Sequence, residues 1–256
     1  MNVHETSQGR TLVVTIDRPE TRNAIDGPTA NELFEVFQRF DVDDSFDVAV
    51  LTGASGTFCS GADLTGIGDG RGTRISDDMD LPGPLGPTRL VLSKPTIAAV
   101  EGHAVAGGLE LALWCDLRIA ASDATFGVYC RRWGVPLVDG GTVRLPRLIG
   151  QSRAMDMILT GRGIGGSEAF EWGLANRLVE PGQTLDEALR LAEQLSAFPQ
   201  LCLRADRGSA LEQWGLPHAD AMANEMRHGM VPVRAGETQR GAARFAAGAG
   251  RGGAFE

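Results

Sequence analysis

The chain has 256 residues, with 24 Lys+Arg against 33 Asp+Glu, for a formal net charge of −9. A hydrophobic fraction of 43% excludes general disorder and is enough for a sizeable buried core. The acidic balance argues against a protein that coats DNA or RNA, whose affinity comes mostly from phosphate neutralisation, but a local arginine cluster can still hold an anionic small molecule.

Thr11–Ile16 is a β-rich run closed by the turn signal Asp17-Arg18-Pro19. Between Pro28 and Phe40, the residues Leu33, Val36, Phe37 and Phe40 recur on one helical face. Asp47–Thr52 predicts a second strand closed by Gly53, Thr96–Val100 a third and Leu117–Ala120 a fourth, with a helix from about Gly107 to Trp114 between the last two. This alternation predicts parallel β-α-β units and an α/β layer architecture. Beyond Gly141, helices are expected over 141–145, 152–159, 167–172, 185–198, 201–213, 219–226 and 234–246, interrupted by a short strand at Arg177–Val179.

The organisation predicted is an α/β core over residues 1–196 followed by a helical region over 197–256. A helical region of that size must pack on its own core or on a neighbouring subunit. Thr65–Pro87 is rich in Gly and Asp and has no regular period; a stretch that long reads as a functional lid, a disordered segment or a tolerated surface insertion. The end of the chain, Gly248–Glu256, reads as a flexible tail with one apolar anchor, Phe255. No internal repeat is visible in the residues.

The four cysteines, Cys59, Cys115, Cys130 and Cys202, make no C-x-x-C pair, and none has a histidine at metal-ligand spacing. They are expected as reduced thiols in a cytoplasmic protein without a metal. The amino-terminal segment Met1–Thr6 is polar, and no run approaches the ~20 apolar residues of a membrane span.

Two segments carry the candidate chemistry. Gly53-Ala-Ser-Gly-Thr-Phe-Cys-Ser-Gly-Ala-Asp-Leu64 directly follows a predicted strand, and Ile97-Ala-Ala-Val-Glu-Gly-His-Ala-Val-Ala-Gly-Gly-Leu-Glu110 spans strand, turn and helix start. Small residues in both let a ligand approach the backbone closely. Gly107 and Gly108 fall at the start of the helix, where N–H groups are free and the dipole is positive. Two such N–H groups, one from each segment, would make an oxyanion hole.

Together these segments resemble the crotonase superfamily, the enoyl-CoA hydratase/isomerase family. The resemblance spans nearly the whole chain. It begins at Asp17-Arg-Pro-Glu-Thr-Arg-Asn-Ala24 and continues through Phe58–Leu64, Lys94–Ala104 and Cys115–Ala120. It ends with Gly141–Gly150 and Leu159–Gly161. It implies a spiral of ββα units with a C-terminal helical trimerisation region, an acyl-CoA thioester substrate, no further cofactor, and a homotrimer or dimer of trimers. By position, Ala62 and Gly107 would supply the oxyanion N–H groups. The coenzyme A portion would lie along Arg22, Asn23 and Ala24 and along Ser60 to Leu64, with Asp63 shaping that loop, and Gly108 beside the hole.

Hydratases of this family handle water with two glutamates. Glu110 matches the first; its alternative reading is a first-turn residue complementing the helix dipole. Cys130 stands where the second belongs, twenty residues on. A thiol near pKa 8.5 cannot replace a carboxylate unless strongly perturbed. Arg131 and Arg132 could lower that pKa, hold phosphate, form ion pairs or be plain surface charges, with ion pairing the first reading, and Cys130 itself reads first as a small buried hydrophobe. Asp139 is a candidate second carboxylate, or else a cap on the helix beginning near Gly141. His103 reads as a packed turn residue beside the hole, and Trp133 as a core or interface anchor.

Three functions follow. The first is hydration of a 2-enoyl-CoA to a 3-hydroxyacyl-CoA, with Glu110 activating water and Asp139 or a second water supplying the other proton. The second is an isomerase or other crotonase-type reaction, and the third a non-catalytic acyl-CoA binder.

Overall fold

Val3–Gln8 (β1) and Thr11–Ile16 (β2) form an antiparallel hairpin. β1 escapes sequence reading because it is an edge strand with Val3 alone buried and polar residues after it. The computed structural model describes residues 2–68 and 70–250; the expected tail from residue 251 onward, with Phe255, lies outside them.

Asp26 starts the first helix, Gly27–Val42 (α1), its carboxylate accepting from Thr29 N–H at 3.0 Å. The helix buries Leu33, Val36, Phe37 and Phe40, the predicted apolar face. At its other end the lone lysine, Lys94, is buried, and its ammonium donates to the carbonyls of Phe40 at 2.9 Å and Asp43 at 2.7 Å. A cation placed on the last carbonyls satisfies groups that have no partner inside a helix and matches the negative end of the dipole.

Val48–Gly53 (β3), the short helix Leu64–Gly68 (α2), Thr96–Val100 (β4), His103–Val105 (β5), Gly107–Trp114 (α3), Leu117–Ala121 (β6) and Thr125–Gly127 (β7) follow. Gly141–Ile149 (α4), Gln151–Thr160 (α5), Gly163–Gly165 (β8), Gly166–Glu171 (α6), Arg177–Val179 (β9) and Thr184–Ala197 (α7) come next. One sheet has the order β1-β2-β3-β4-β6-β9, parallel from β2 onward, and a second has the order β5-β7-β8. Successive strands alternate between the sheets: β4 leads to β5 and then α3, and β6 leads to β7. That is the ββα spiral. The repeat is one of topology, carried by three-residue strands in the second sheet, so the residues show no period.

Alternate residues of the large sheet serve two cores. Ala49, Leu51, Ala98, Val100 and Ala120 join α1 and α3 in one cluster, while Val48, Val50, Ile97, Ala99 and Ile119 pack on Ala188, Leu191 and Ala192 of α7. Burial on both faces explains the uninterrupted apolar runs of these strands. Because β2, β3 and β4 run parallel, their carboxyl ends lie at one edge of the sheet, and both chemistry-bearing segments leave from there.

The chain divides into two compact units, residues 1–195 and 196–256. Within the second, the helices are Gln200–Glu212 (α8), His218–Arg234 (α9) and Glu237–Ala246 (α10). The expected break after Met226 is absent: α9 runs through Pro232 to Arg234, and Gly236, whose φ of 72° is left-handed, separates it from α10. All four cysteines are unpaired thiols. Among the described residues no helix is long and apolar enough to cross a membrane.

Replacing Lys94 by Met keeps the bulk but strands the carbonyls of Phe40 and Asp43. Thermal unfolding followed by circular dichroism is expected to show a loss of about 2–3 kcal/mol, a fall of roughly 5–10 °C in Tm.

Candidate active site

The segment after β3 spends its backbone groups on two neighbours. Cys59 N–H donates to His103 carbonyl at 2.8 Å and Val105 N–H returns to Cys59 carbonyl at 3.1 Å. On the other side, Ile25 N–H donates to Gly61 carbonyl and Asp63 N–H to Ile25 carbonyl, both at 2.8 Å. Gly61 N–H meets the Cys59 sulfur at 3.3 Å. Ala62 N–H is left over, with no protein acceptor among the described residues, and Ala62 lines a cavity of about 290 Å³.

The second segment does the same. Ala106 takes φ 53° and ψ −125°, a conformation costly for a residue with a side chain, and opens α3. Its own N–H goes to Gly127 carbonyl at 2.8 Å, and its carbonyl receives Glu110 N–H. Gly107 N–H, the first of the helix, has no protein acceptor among the described residues and also borders the cavity. The two segments touch: a Cβ built on Gly61 would fall 2.9 Å from Gly107 N. The predicted pair of unspent amides, Ala62 and Gly107, therefore stands on one cavity.

Glu110 is buried on α3, three residues beyond Gly107, and faces the same space. Its Oε1 accepts Asp139 N–H at 2.9 Å and Gly141 N–H at 2.7 Å. So Glu110 caps the amino terminus of α4, while its Oε2 has no partner among the described residues. Burial pushes its pKa up to about 7; the Gly141 N–H bond opposes that rise and the Asp139 charge adds to it.

Asp139 does not cap α4. The residue before that helix is Gly140, which has no side chain to cap it, and the first helical N–H, that of Gly141, goes to Glu110. Instead Asp139 Oδ1 accepts Leu85 N–H at 3.0 Å and the Thr88 hydroxyl, and Oδ2 has no partner among the described residues. Burial again raises its pKa, against the Thr88 and Leu85 hydrogen bonds. Two carboxyls with raised pKa values thus share one cavity, each with one oxygen pinned by two donors and one free. Arg144 ties the pieces together, donating to Asp139 and Thr88 carbonyls at 2.8 Å each.

Cys130 also borders the cavity, on the short 3-10 turn Tyr129–Trp133. Its pKa is raised, first by burial and then by the Glu110 charge, and Arg131 only partly opposes this. The two arginines do not activate the thiol. Arg131 donates to Ile158 carbonyl, while Arg132 donates to Gly161 carbonyl and lies 4.0 Å from the Tyr129 ring centre. Neither meets a carboxylate among the described residues. A thiol held neutral is a poor acid or base, which favours the reading of Cys130 as a small buried hydrophobe over a catalytic group.

Of the expected substrate contacts, Arg22, Ser60 and Leu64 line the cavity; Ala24, Asp63 and Gly108 do not. Ala24 offers its carbonyl to Arg18. Asp63 pairs with Arg18 at 3.1 Å and holds Thr65 N–H at 3.1 Å, so it shapes the loop. Gly108 is glycine because a Cβ there would meet Cys59 carbonyl at 2.0 Å; it lets α3 seat against the segment that follows β3. His103 lies in β5 rather than a turn and borders the cavity, as does Trp133, which is exposed rather than a core anchor.

The Thr65–Pro87 stretch is part of the site, contributing Thr73, Ile75, Pro84 and Leu85 to the wall. Arg89 straps it, donating to the carbonyls of Ser76 at 2.9 Å and Asp78 at 2.7 Å. Sequence reasoning missed Leu85, Thr88, Arg89 and Arg144, whose bonds are to backbone or to residues far along the chain and leave no spacing to read.

A family model described as enoyl-CoA hydratase/isomerase matches residues 6–246. Enoyl-CoA hydratase EchA19 of Mycobacterium tuberculosis is 35% identical, over 93% of this chain and 91% of that protein. Carnitinyl-CoA dehydratase of Proteus mirabilis is 38% identical over 80% of this chain and 78% of its own length. The crystal structure of an enoyl-CoA hydratase from Mycobacterium tuberculosis H37Rv superposes with a TM-score of 0.89 at 37% identity, covering 96% of this chain and 95% of that one. That of enoyl-CoA hydratase EchA1 from Mycobacterium marinum gives 0.90 at 35% identity, with the same coverage. On a match over nearly its whole length and a shared ββα spiral, the chain belongs to the enoyl-CoA hydratase/isomerase family.

Proposed function

We propose that the protein adds water to a 2-enoyl-CoA, forming a 3-hydroxyacyl-CoA. The observation that carries this reading is the convergence of Ala62 N–H, Gly107 N–H and the free Glu110 Oε2 on one cavity. Two relatives, the carnitinyl-CoA dehydratase and a mevalonyl-coenzyme A hydratase of Aspergillus fumigatus, are named for removal or addition of water, which supports hydration over a shift of the double bond.

In this reading the thioester oxygen sits against the two amides. Glu110 Oε2 takes a proton from water as its oxygen bonds to the β-carbon, and the alkene electrons move into a thioester enolate. The amides stabilise that charge without reorganising, at ~3–4 kcal/mol for one such donor. Asp139 Oδ2 gives the α-carbon its proton, and the proton on Glu110 then returns to Asp139, so water is the net addition. The partner carboxyl is Asp139 rather than the neutral thiol Cys130 at the second family position. Arg22 at the cavity mouth suits the coenzyme A phosphates. Exposed apolar side chains in the second unit, Trp214, Met222 and Met226, support a self-associated form, the homotrimer or dimer of trimers. Four unpaired thiols suit a reducing, cytoplasmic setting.

Glu110→Gln keeps an amide oxygen to receive the Asp139 and Gly141 N–H groups while removing the base. Loss of conjugated enoyl-thioester absorbance is expected to slow by about 10²–10⁴-fold, with Tm and acyl-CoA binding retained. Turnover within tenfold of the parent would contradict the assignment.

Two carboxyls in one apolar cavity cannot both ionise cheaply, so below about pH 7 the pair holds one proton. If that proton is used, kcat/KM against pH is a bell whose alkaline limb lies near 7, with an acidic limb below it where the pair becomes fully protonated. A profile that instead rises through pH 7 and stays flat at higher pH would assign the α-proton to a water and remove Asp139 from the chemistry.

A further inference from the structure

The paired carboxyls raise a question the reaction scheme leaves open: which oxygen of Asp139 carries the exchanged proton. Oδ1 receives two donors, Leu85 N–H at 3.0 Å and the Thr88 hydroxyl. A carboxylic O–H oxygen is a poor acceptor, and two donors aimed at Oδ1 disfavour a proton there. Oδ2 has no partner among the described residues, and Asp139 borders the cavity.

We propose that Thr88 is a positioning residue which, together with Leu85 N–H, occupies Asp139 Oδ1 and reserves Oδ2 for the proton exchanged with substrate. The proposal rests on the hydratase reading for its substrate but on the geometry for the proton.

The framework that aims Thr88 is fixed from both sides. Its carbonyl is held by Arg144 Nη2, whose Nη1 holds the Asp139 carbonyl, so one guanidinium sets the spacing between donor and acceptor. Thr88 lies on the 3-10 turn Pro87–Arg89, which closes the stretch whose Ile75, Pro84 and Leu85 wall the cavity. Thr88 thereby links the wall of the acyl site to the orientation of its second carboxyl. The charged and titratable groups around Asp139 are Glu110 on α3, Arg144 on α4 and Arg89 on the 3-10 turn, with Cys130 across the cavity. Thr88→Val changes none of them.

The test is the pH profile of Thr88→Val and Thr88→Ser in the full-length protein. A hydroxyl that donates to the ionised carboxylate favours ionisation, so its removal raises the Asp139 pKa. Thr88→Val is expected to move the acidic limb of kcat/KM upward by about one pH unit, the worth of one hydrogen bond to a charged acceptor. Thr88→Ser, which keeps the hydroxyl, is expected to restore the parental limb. Titration of the Asp139 carboxyl by carbon-13 NMR reads the same shift without turnover, so a failure of the hydratase reading leaves this test intact. A parental limb and a parental Asp139 titration in Thr88→Val would overturn the proposal. So would a Thr88→Ser variant that behaves like Thr88→Val. If Thr88→Val does not fold, a displaced Asp139 titration in Thr88→Ser overturns it.

Discussion

Two backbone N–H groups without acceptors are the constraint on which the rest of the site depends. Buried or half-buried amides are almost always paired, and in the same two segments Cys59, Gly61, Asp63 and Ala106 all have partners. Ala62 and Gly107 fall where one segment is paired on both sides and the other turns sharply into a helix. Keeping them free has local costs. Ala106 holds a backbone conformation that side chains disfavour, and Gly61 and Gly108 are places where a Cβ would strike a neighbouring main chain or side chain. The packing of the spiral over-determines this arrangement, since both segments leave the same edge of the parallel sheet.

Glu110 joins that hole to the rest of the cavity. One of its oxygens performs a structural task, receiving the first N–H of α4 and the N–H of Asp139 just before it, and the other is open to chemistry. The dipole reading and the catalytic reading are therefore compatible, although the helix it serves is the next one rather than its own. Burial works against the charge on Glu110 and the two N–H bonds work for it, which leaves its pKa at about 7. Asp139 has the same design with different donors. A cavity lined mostly by apolar groups makes the second ionisation expensive, and this is the physical reason one proton stays on the pair.

Much of the fold was legible in the sequence, because the central strands and helices are long and apolar on a recognisable period. Thr96–Val100 and Gly107–Trp114 were read at their observed bounds. The strands that were missed, β1, β5, β7 and β8, are either an edge with polar residues or only three residues long, and such elements are fixed by tertiary pairing rather than by local pattern. In the site, the two segments were visible because backbone chemistry at a helix start leaves a signature of small residues, while Ala62, Gly107 and Glu110 were picked out by the resemblance to the family. Thr88 and Arg144 were not, since their roles arise from contacts 51 and 56 residues away in the chain. Asp139 was readable as a candidate but not as the partner of Thr88. The Arg131 and Arg132 pair shows the converse: adjacency in sequence left control of Cys130, phosphate binding and ion pairing all open, while their guanidiniums are turned to the carbonyls of Ile158 and Gly161.

The central claim is that the free amides and the free Glu110 oxygen serve one reacting thioester. A crystal structure with an unreactive acyl-CoA analogue tests it most directly. The account predicts the thioester oxygen at about 2.7–3.1 Å from both Ala62 N and Gly107 N, with the β-carbon within one water of Glu110 Oε2. An analogue bound with its thioester oxygen away from the two amides, or with Glu110 remote from the β-carbon, would contradict it.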